Sequence, residues 1–312
     1  MTDRNSTSVT EFILQGFTGH PKGQISLFLI FLIIYLFTLL GNLGMVALIR
    51  QSPLLHSPMY FFLTHFSLMD ACITSTIAPP MLLNFLLERK AISYSGCILQ
   101  FFMFCAFTDV EAFILVIMAY DRYVAICRPL SYTAIMSKPL CMWLLTGAYI
   151  GGVVNSLIHT CASLRLSYCG KNSVNHFFCD LAALMALACS DTSLNELLLL
   201  TFGTFVEAFN IVAIITSYAF IITAIVRMHS TEGRLKAFST CASHLTTFAL
   251  FHGTILYMYF RPTSSFSMDT DKGVSLFYTL IIPMLNPLIY SLRNKEVQDA
   301  LRKLIGKNLH TH

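Results

Sequence analysis

Residues 25–49 read ISLFLIFLIIYLFTLLGNLGMVALI, a run with no charged side chain. A helix crosses the hydrocarbon core of a bilayer with about 20 mostly apolar residues, so this run predicts a membrane span. Working outward, stretches of the same kind recur at about Pro58–Leu87, Ser95–Ala125, Leu140–Cys161, Leu194–Val226, Ala237–Phe260 and Val274–Leu292. Seven spans predict an all-α membrane protein built as a seven-transmembrane helix bundle. Helices are expected because backbone groups in lipid must be satisfied within the segment. The short alternating strands of a membrane barrel are a poor match to runs this long.

Composition agrees. The chain has 312 residues, 55% hydrophobic and 12% charged, about half the charged share of a soluble domain. Mean hydropathy is +0.67. Net charge is +4, with no long basic block and no Gly-rich phosphate loop, so nucleic acid is not an expected partner. Thr2–Gly23 is polar and mixed, without the basic-then-apolar pattern of a cleaved signal; the first span is expected to act as the targeting signal.

Lys and Arg placement predicts orientation. With the N-terminus outside, twelve of the twenty Lys and Arg fall on the cytoplasmic side, among them Arg50, Arg122, Arg128 and Lys138. Asn5-Ser6-Thr7 is a glycosylation sequon, which fits an exterior N-terminus. The expected division is an extracellular N-terminus (1–24), a receptor domain (25–292) and a cytoplasmic amphipathic helix with tail (293–312). In that last stretch Val297, Ala300, Leu301 and Leu304 share one helical face, which predicts a short C-terminal helix lying on the membrane surface.

Of ten cysteines, Cys72, Cys105, Cys127, Cys141, Cys161 and Cys241 lie in or beside spans and read as small buried thiols. Cys97, Cys169, Cys179 and Cys189 fall on the proposed outer, oxidising side, where disulfides form. Four cysteines allow three pairings. A metal site with His176 is a weaker reading, since no Cys-x-x-Cys pair is present.

Six motifs follow in order along the spans: Gly41-Asn42; Pro58-Met59-Tyr60-Phe61-Phe62-Leu63 with Asp70 beyond it; Met118 to Cys127 around Asp121-Arg122-Tyr123; Ser217-Tyr218; Lys236 to Leu245; and Pro283 to Asn294 around Asn286-Pro287 and Tyr290. In that order they resemble the odorant-receptor family of rhodopsin-like G-protein-coupled receptors, and the short N-terminus and central loop resemble its class II, tetrapod-type branch. The resemblance implies a receptor, not an enzyme, that binds small, mostly hydrophobic volatile odorants and activates a heterotrimeric stimulatory olfactory G protein at the plasma membrane, raising cyclic AMP. It implies disulfides Cys97–Cys179 and Cys169–Cys189. It also implies a switch in which Arg122 rests against Asp121 and turns towards the G protein and Tyr218 on activation. Tyr123 belongs to the same motif, and Asn286, Pro287 and Tyr290 form a second switch. No other cofactor is expected, but Asp70 and Glu111 stand in the sodium-site region; they hold either a sodium ion or a shared proton.

The ligand pocket is expected in the outer half of the bundle. On the third span Phe104, Thr108 and Glu111 share a face, with Cys105, Asp109 and Ala112 beside it. The fifth span offers Phe202, Val206, Glu207 and Asn210; the sixth offers His252, Ile255, Tyr259 and Thr263. Two departures from the family pattern stand out: Phe251-His252-Gly253 replaces Phe-Tyr-Gly, and Asp109 stands where a small or hydroxyl residue is expected. Asp109 and His252 are expected to pair in the pocket floor, favouring ligands with a hydrogen-bonding head group such as an amine or nitrogen heterocycle. Phe104 replaces the aspartate of biogenic-amine receptors, which argues against such ligands. A small-molecule transporter or channel is the alternative reading, but seven spans without an internal repeat fit it poorly. An intramembrane protease is a third, and Asp70, Asp109 and Glu111 lack its sequence surroundings.

Overall fold

The computed structural model describes residues 9–16, 21–87, 89–259 and 268–309. Asn5 and Thr263 lie outside the described residues, as does the side chain of Tyr259. The long helices are α1 (Pro21–Gln51), α2 (Pro58–Leu86), α3 (Tyr94–Cys127) and α4 (Lys138–Ser163). They continue with α5 (Ser193–Val226), α6 (Thr231–Tyr259), α7 (Met268–Leu276 running through Phe277–Ile281 into Ile282–Arg293) and α8 (Lys295–Leu309). All seven predicted spans have their helix.

Among the described residues six helices are both long and apolar enough to cross a bilayer. The one that falls short is α6, although its 29 residues are ample length. Its middle is rich in hydroxyls and histidines, and these face protein. Ser243 Oγ donates to Ile289 O (3.2 Å), and His244 and Thr247 are nearly inaccessible. α1 is the opposite case, with Ile25, Leu29, Ile33, Leu36 and Leu40 exposed along its length, as suits a helix that meets lipid.

α3 is the axis of the bundle: α2, α4, α5 and α6 all pack on it, and α7 closes the ring against α1, α2 and α6. Lipid tails are as apolar as leucine, so helices in a bilayer associate through close packing and hydrogen bonds rather than hydrophobic burial. Gly152 of α4 shows the consequence. A Cβ there would lie 2.6 Å from Val110 Cγ2 and 2.9 Å from the Val110 backbone nitrogen, so glycine sets how near α4 comes to α3. Gly41 of α1 likewise leaves room for Pro287 of α7, whose Cγ would be 3.2 Å from an added Cβ.

The two ends of the bundle are built differently. At one end, the sheet end, β1 (Glu11–Leu14) runs between β2 (Ala91–Ser93), antiparallel, and β3 (Ser173–Val174), parallel. Phe12 and Leu14 alternate inward and are fully buried with Phe101, Tyr168 and Val174. The N-terminal segment, read from sequence only as polar and mixed, therefore supplies the central strand. Cys97 pairs with Cys179 and Cys169 with Cys189, the pairing the resemblance implied. Gln100 adds a clamp, donating to Thr76 O (3.1 Å) and accepting from Cys179 N (3.0 Å). At the other end, α8 folds back under the bundle. Val297 and Ala300 are buried and Leu304 packs on the core, while Leu301 is exposed. Tyr60 ties it down, donating to Glu296 Oε2 (2.7 Å) and accepting from Asn294 Nδ2 (2.9 Å).

Candidate ligand cavity and switch

Beneath the sheet end lies a cavity of about 120 Å3 between α3, α4, α5, α6 and α7. Nine of the residues expected from helical spacing line it: Phe104, Cys105, Thr108, Asp109, Ala112, Val206, Glu207, Asn210 and Ile255. Phe104 forms one wall with Phe178 and Tyr278, its ring centroid 5.2 Å and 5.8 Å from theirs.

Three expectations need correction. Phe202 does not line the cavity; it is 43% exposed on the outside of α5. The reason is a π-helical turn at Leu199–Gly203, a wider turn that rotates the face of the helix. Leu199 and Gly203 face the cavity instead. His252 is buried behind the lining, not on it. And Asp109 does not pair with His252. Asn155 Nδ2 of α4 donates to Asp109 Oδ2 (2.9 Å), while His252 Nδ1 lies 2.8 Å from Glu207 Oε1. Each group has its partner on another helix, Asp109 on α4 and His252 on α5.

The structure adds Phe101, Asn155, His159, Leu181, Leu199, Gly203 and Tyr278 to the lining. Asn155 and His159 had a legible signal, since polar groups within an apolar span tend to face the bundle interior. Leu181 comes from the loop helix Leu181–Leu187, which no span pattern reaches.

Several polar groups around the cavity are left unsatisfied. Among the described residues Thr108 Oγ1, Asn155 Oδ1, His252 Nε2 and both amide atoms of Asn210 have no hydrogen-bond partner. Each such group costs about 1–3 kcal/mol when buried, so a ligand that reaches them gains affinity from them.

Away from the cavity, polar side chains bond mainly to one another. Asn286 Nδ2 donates to both oxygens of Asp70 (3.1 Å each), and the Glu111 carboxyl lies beside Asp70. Asn42 Nδ2 donates to Pro283 O (2.9 Å), joining α1 to α7. His244 Nε2 lies 3.0 Å from Leu115 O, and its Nδ1 lies 2.9 Å from the Tyr218 hydroxyl. A carbonyl only accepts, so Nε2 carries the proton, and in the neutral ring Nδ1 accepts from Tyr218. Tyr290 is buried against Phe66, and Tyr123 packs on Phe220 of α5.

At the far end of α3, Arg122 Nη2 lies 3.3 Å from Asp121 Oδ2 and also touches the Met59 sulfur. Tyr132, in the turn after α3, donates to Asp121 Oδ1 (2.8 Å). Burial, with the Asp121 carboxylate beside it, pushes the Tyr132 phenol above its ordinary value, so it stays a donor. Asp121 thus holds Arg122 on one side and Tyr132 on the other, while Tyr218 is bonded to His244 rather than to Arg122.

Known proteins are similar to this chain in sequence and in fold. A family model described as olfactory receptor matches residues 31–308. Olfactory receptor-like protein OLF1 of Canis lupus familiaris is 55% identical over 303 residues, 97% of each chain. Olfactory receptor 5I1 of Homo sapiens is 55% identical over 304 residues, again 97% of each. Olfactory receptor-like protein COR4 of Gallus gallus is 53% identical over 312 residues, the full length of both. The crystal structure of squid rhodopsin matches the fold with a TM-score of 0.71 at 15% identity, covering 95% of this chain and 89% of that one. By the extent of the family match and the identity to relatives along their whole length, the chain belongs to the olfactory receptor family.

Proposed function

We propose that this chain is an odorant receptor that binds a small volatile ligand in the cavity beneath the sheet end. Occupancy favours an arrangement in which Arg122 leaves Asp121, and the receptor then activates a stimulatory olfactory G protein and raises cyclic AMP. A ligand shifts such a balance only by its differential affinity for the two arrangements. In this reading the sheet end and residues 1–24, with the sequon at Asn5, face the exterior of the plasma membrane, residues 25–292 form the receptor domain, and residues 293–312 lie in the cytosol.

The observation that carries this reading is the cavity's lining: mostly apolar, with a few polar side chains, Thr108, Asp109, Asn155, Glu207 and Asn210, set among them, as small-molecule sites are built. Its size supports a compact ligand, since a cavity of about 150 Å3 elsewhere accepts benzene. Its chemistry supports a hydrogen-bonding head group. Asp109 and Glu207 both line it, and among the described residues no Lys or Arg does. That favours alcohols, phenols, amines or nitrogen heterocycles over carboxylic acids. Asp70 and Glu111 serve as a polar brace between α2 and α3. Their oxygen donors, with Glu111 Oε1 lacking a hydrogen bond, suit a sodium ion as well as a shared proton.

The test is a cyclic AMP response in cells expressing the chain with the olfactory G protein. The panel spans alcohols, amines, pyrazines, ketones, terpenoids and acids, with surface level measured in parallel. A dose-dependent response that Arg122→Ala abolishes at equal surface level is the expected result. Silence across the panel from a well-expressed receptor rejects this ligand class or this G protein.

A further inference from the structure

At the Arg122 end a groove of about 730 Å3 opens between the start of α2, the turn after α3 and the start of α4. Its charge has one sign: Arg50 and Lys138 line it, and among the described residues no aspartate or glutamate does. Two helices begin at its wall. Ser57 precedes Pro58 of α2, Ser137 precedes Lys138 of α4, and neither serine hydroxyl caps its own helix. A helix start carries unpaired N–H groups and the positive end of the helix dipole, so each of these starts favours an anion. Beside this polar corner, Phe61 and Met142 supply an apolar wall, and Met142 is 53% exposed. The ring of Tyr132 lines the same groove while its hydroxyl bonds to Asp121.

We propose that this groove seats one anionic phospholipid from the adjoining leaflet. Its phosphate sits between Arg50, Lys138 and the two serines, and an acyl chain runs along Phe61 and Met142. The proposal rests on the reading that the Arg122 end faces the cytosol, where the leaflet is rich in anionic lipid. A sterol would cover the apolar wall but leave both cations unused. A soluble phosphate compound would meet the cations but leave the wall bare. The seated lipid touches Tyr132 and so stands one side chain away from the Asp121–Arg122 pair.

The experiment is native mass spectrometry of the purified full-length chain, titrated in parallel with phosphatidylserine and phosphatidylcholine. Phosphatidylserine is expected to be retained over phosphatidylcholine by about thirtyfold, the scale set by two basic side chains near an anionic head group. Arg50→Gln with Lys138→Gln is expected to erase the preference. Lys138→Gln alone, at an exposed position, is expected to weaken it and covers the case in which the double variant misfolds. Lys303→Gln on α8 is expected to keep it. Equal retention of the two lipids by the unaltered chain overturns the proposal. So does a preference that survives the groove variants, or one lost equally in Lys303→Gln. The readout needs neither odorant nor G protein, so it fails or holds separately from the receptor reading.

Discussion

The two ends of the bundle are held by different kinds of bond. At the sheet end, two disulfides and a three-stranded sheet fix the loops over a cavity whose polar groups are partly unpaired. Towards the Arg122 end, the helices are joined by side-chain hydrogen bonds, Asn286 to Asp70, Tyr218 to His244 and Tyr60 to Glu296, while Arg122 pairs with Asp121 within α3. Covalent links would keep the proposed binding volume in shape while ligands come and go. Hydrogen bonds, each worth about 0.5–1.5 kcal/mol net, can be exchanged one for another. In the proposed receptor, the difference places rigidity around the ligand and exchangeable bonding where the helices rearrange.

Breaking the covalent end should cost most. Cys97→Ser is expected to lose about 2–5 kcal/mol, as native disulfides generally contribute, and to abolish surface expression measured by antibody labelling of intact cells. A receptor that reaches the surface normally without this link would undo the contrast between the ends. Next comes the packing both ends share. Gly152→Val forces α4 away from the Val110 backbone and is expected to cost about 1–3 kcal/mol, read as a lower melting temperature of the purified protein. Adding Val110→Ala should recover only part of it, because the clash with the Val110 nitrogen and the Ala106 carbonyl remains.

Within the cavity, Asn210→Leu removes two unpaired polar atoms. It should weaken ligands with a polar head group by about tenfold, the equivalent of one hydrogen bond of 1.4 kcal/mol. Surface level should not fall, since no protein partner is lost. At the opposite end Tyr60→Phe deletes the bonds to Glu296 and Asn294. It should cost about 1 kcal/mol of stability with agonist potency unchanged, checked by melting and dose–response on the same preparation. The smallest effect is expected at Phe202→Ala. That ring faces away from the cavity, so potency should move by less than the error of the assay; a large shift would mean that α5 turns when ligand binds.

Much of this was legible in the sequence for a simple reason. A run such as residues 25–49 must be a helix in lipid whatever surrounds it, so span number and order follow from local composition. The residues proposed as switches were legible because Asp121-Arg122 and Asn286-Pro287 lie in contiguous motifs. The nine cavity residues found by spacing follow from helix periodicity, which fixes the faces of a straight helix. Periodicity failed where the helix is not straight: the π-helical turn at Leu199–Gly203 carried Phe202 to the outside. The span read at Ala237–Phe260 has its helix despite a polar centre, whose Ser243, His244 and Thr247 bond to protein.

By itself, then, the sequence determined the seven helices, their order and the chemistry available on each, because those depend on neighbours in the chain. Tertiary structure alone decided which groups meet. It set Asn155 against Asp109 and Glu207 against His252, placed β1 at the centre of the sheet, and turned the starts of α2 and α4 towards one groove. Those outcomes depend on how helices far apart in sequence approach and rotate. A hydrogen bond goes to whichever partner lies within about 3 Å, and only the assembled bundle sets that distance.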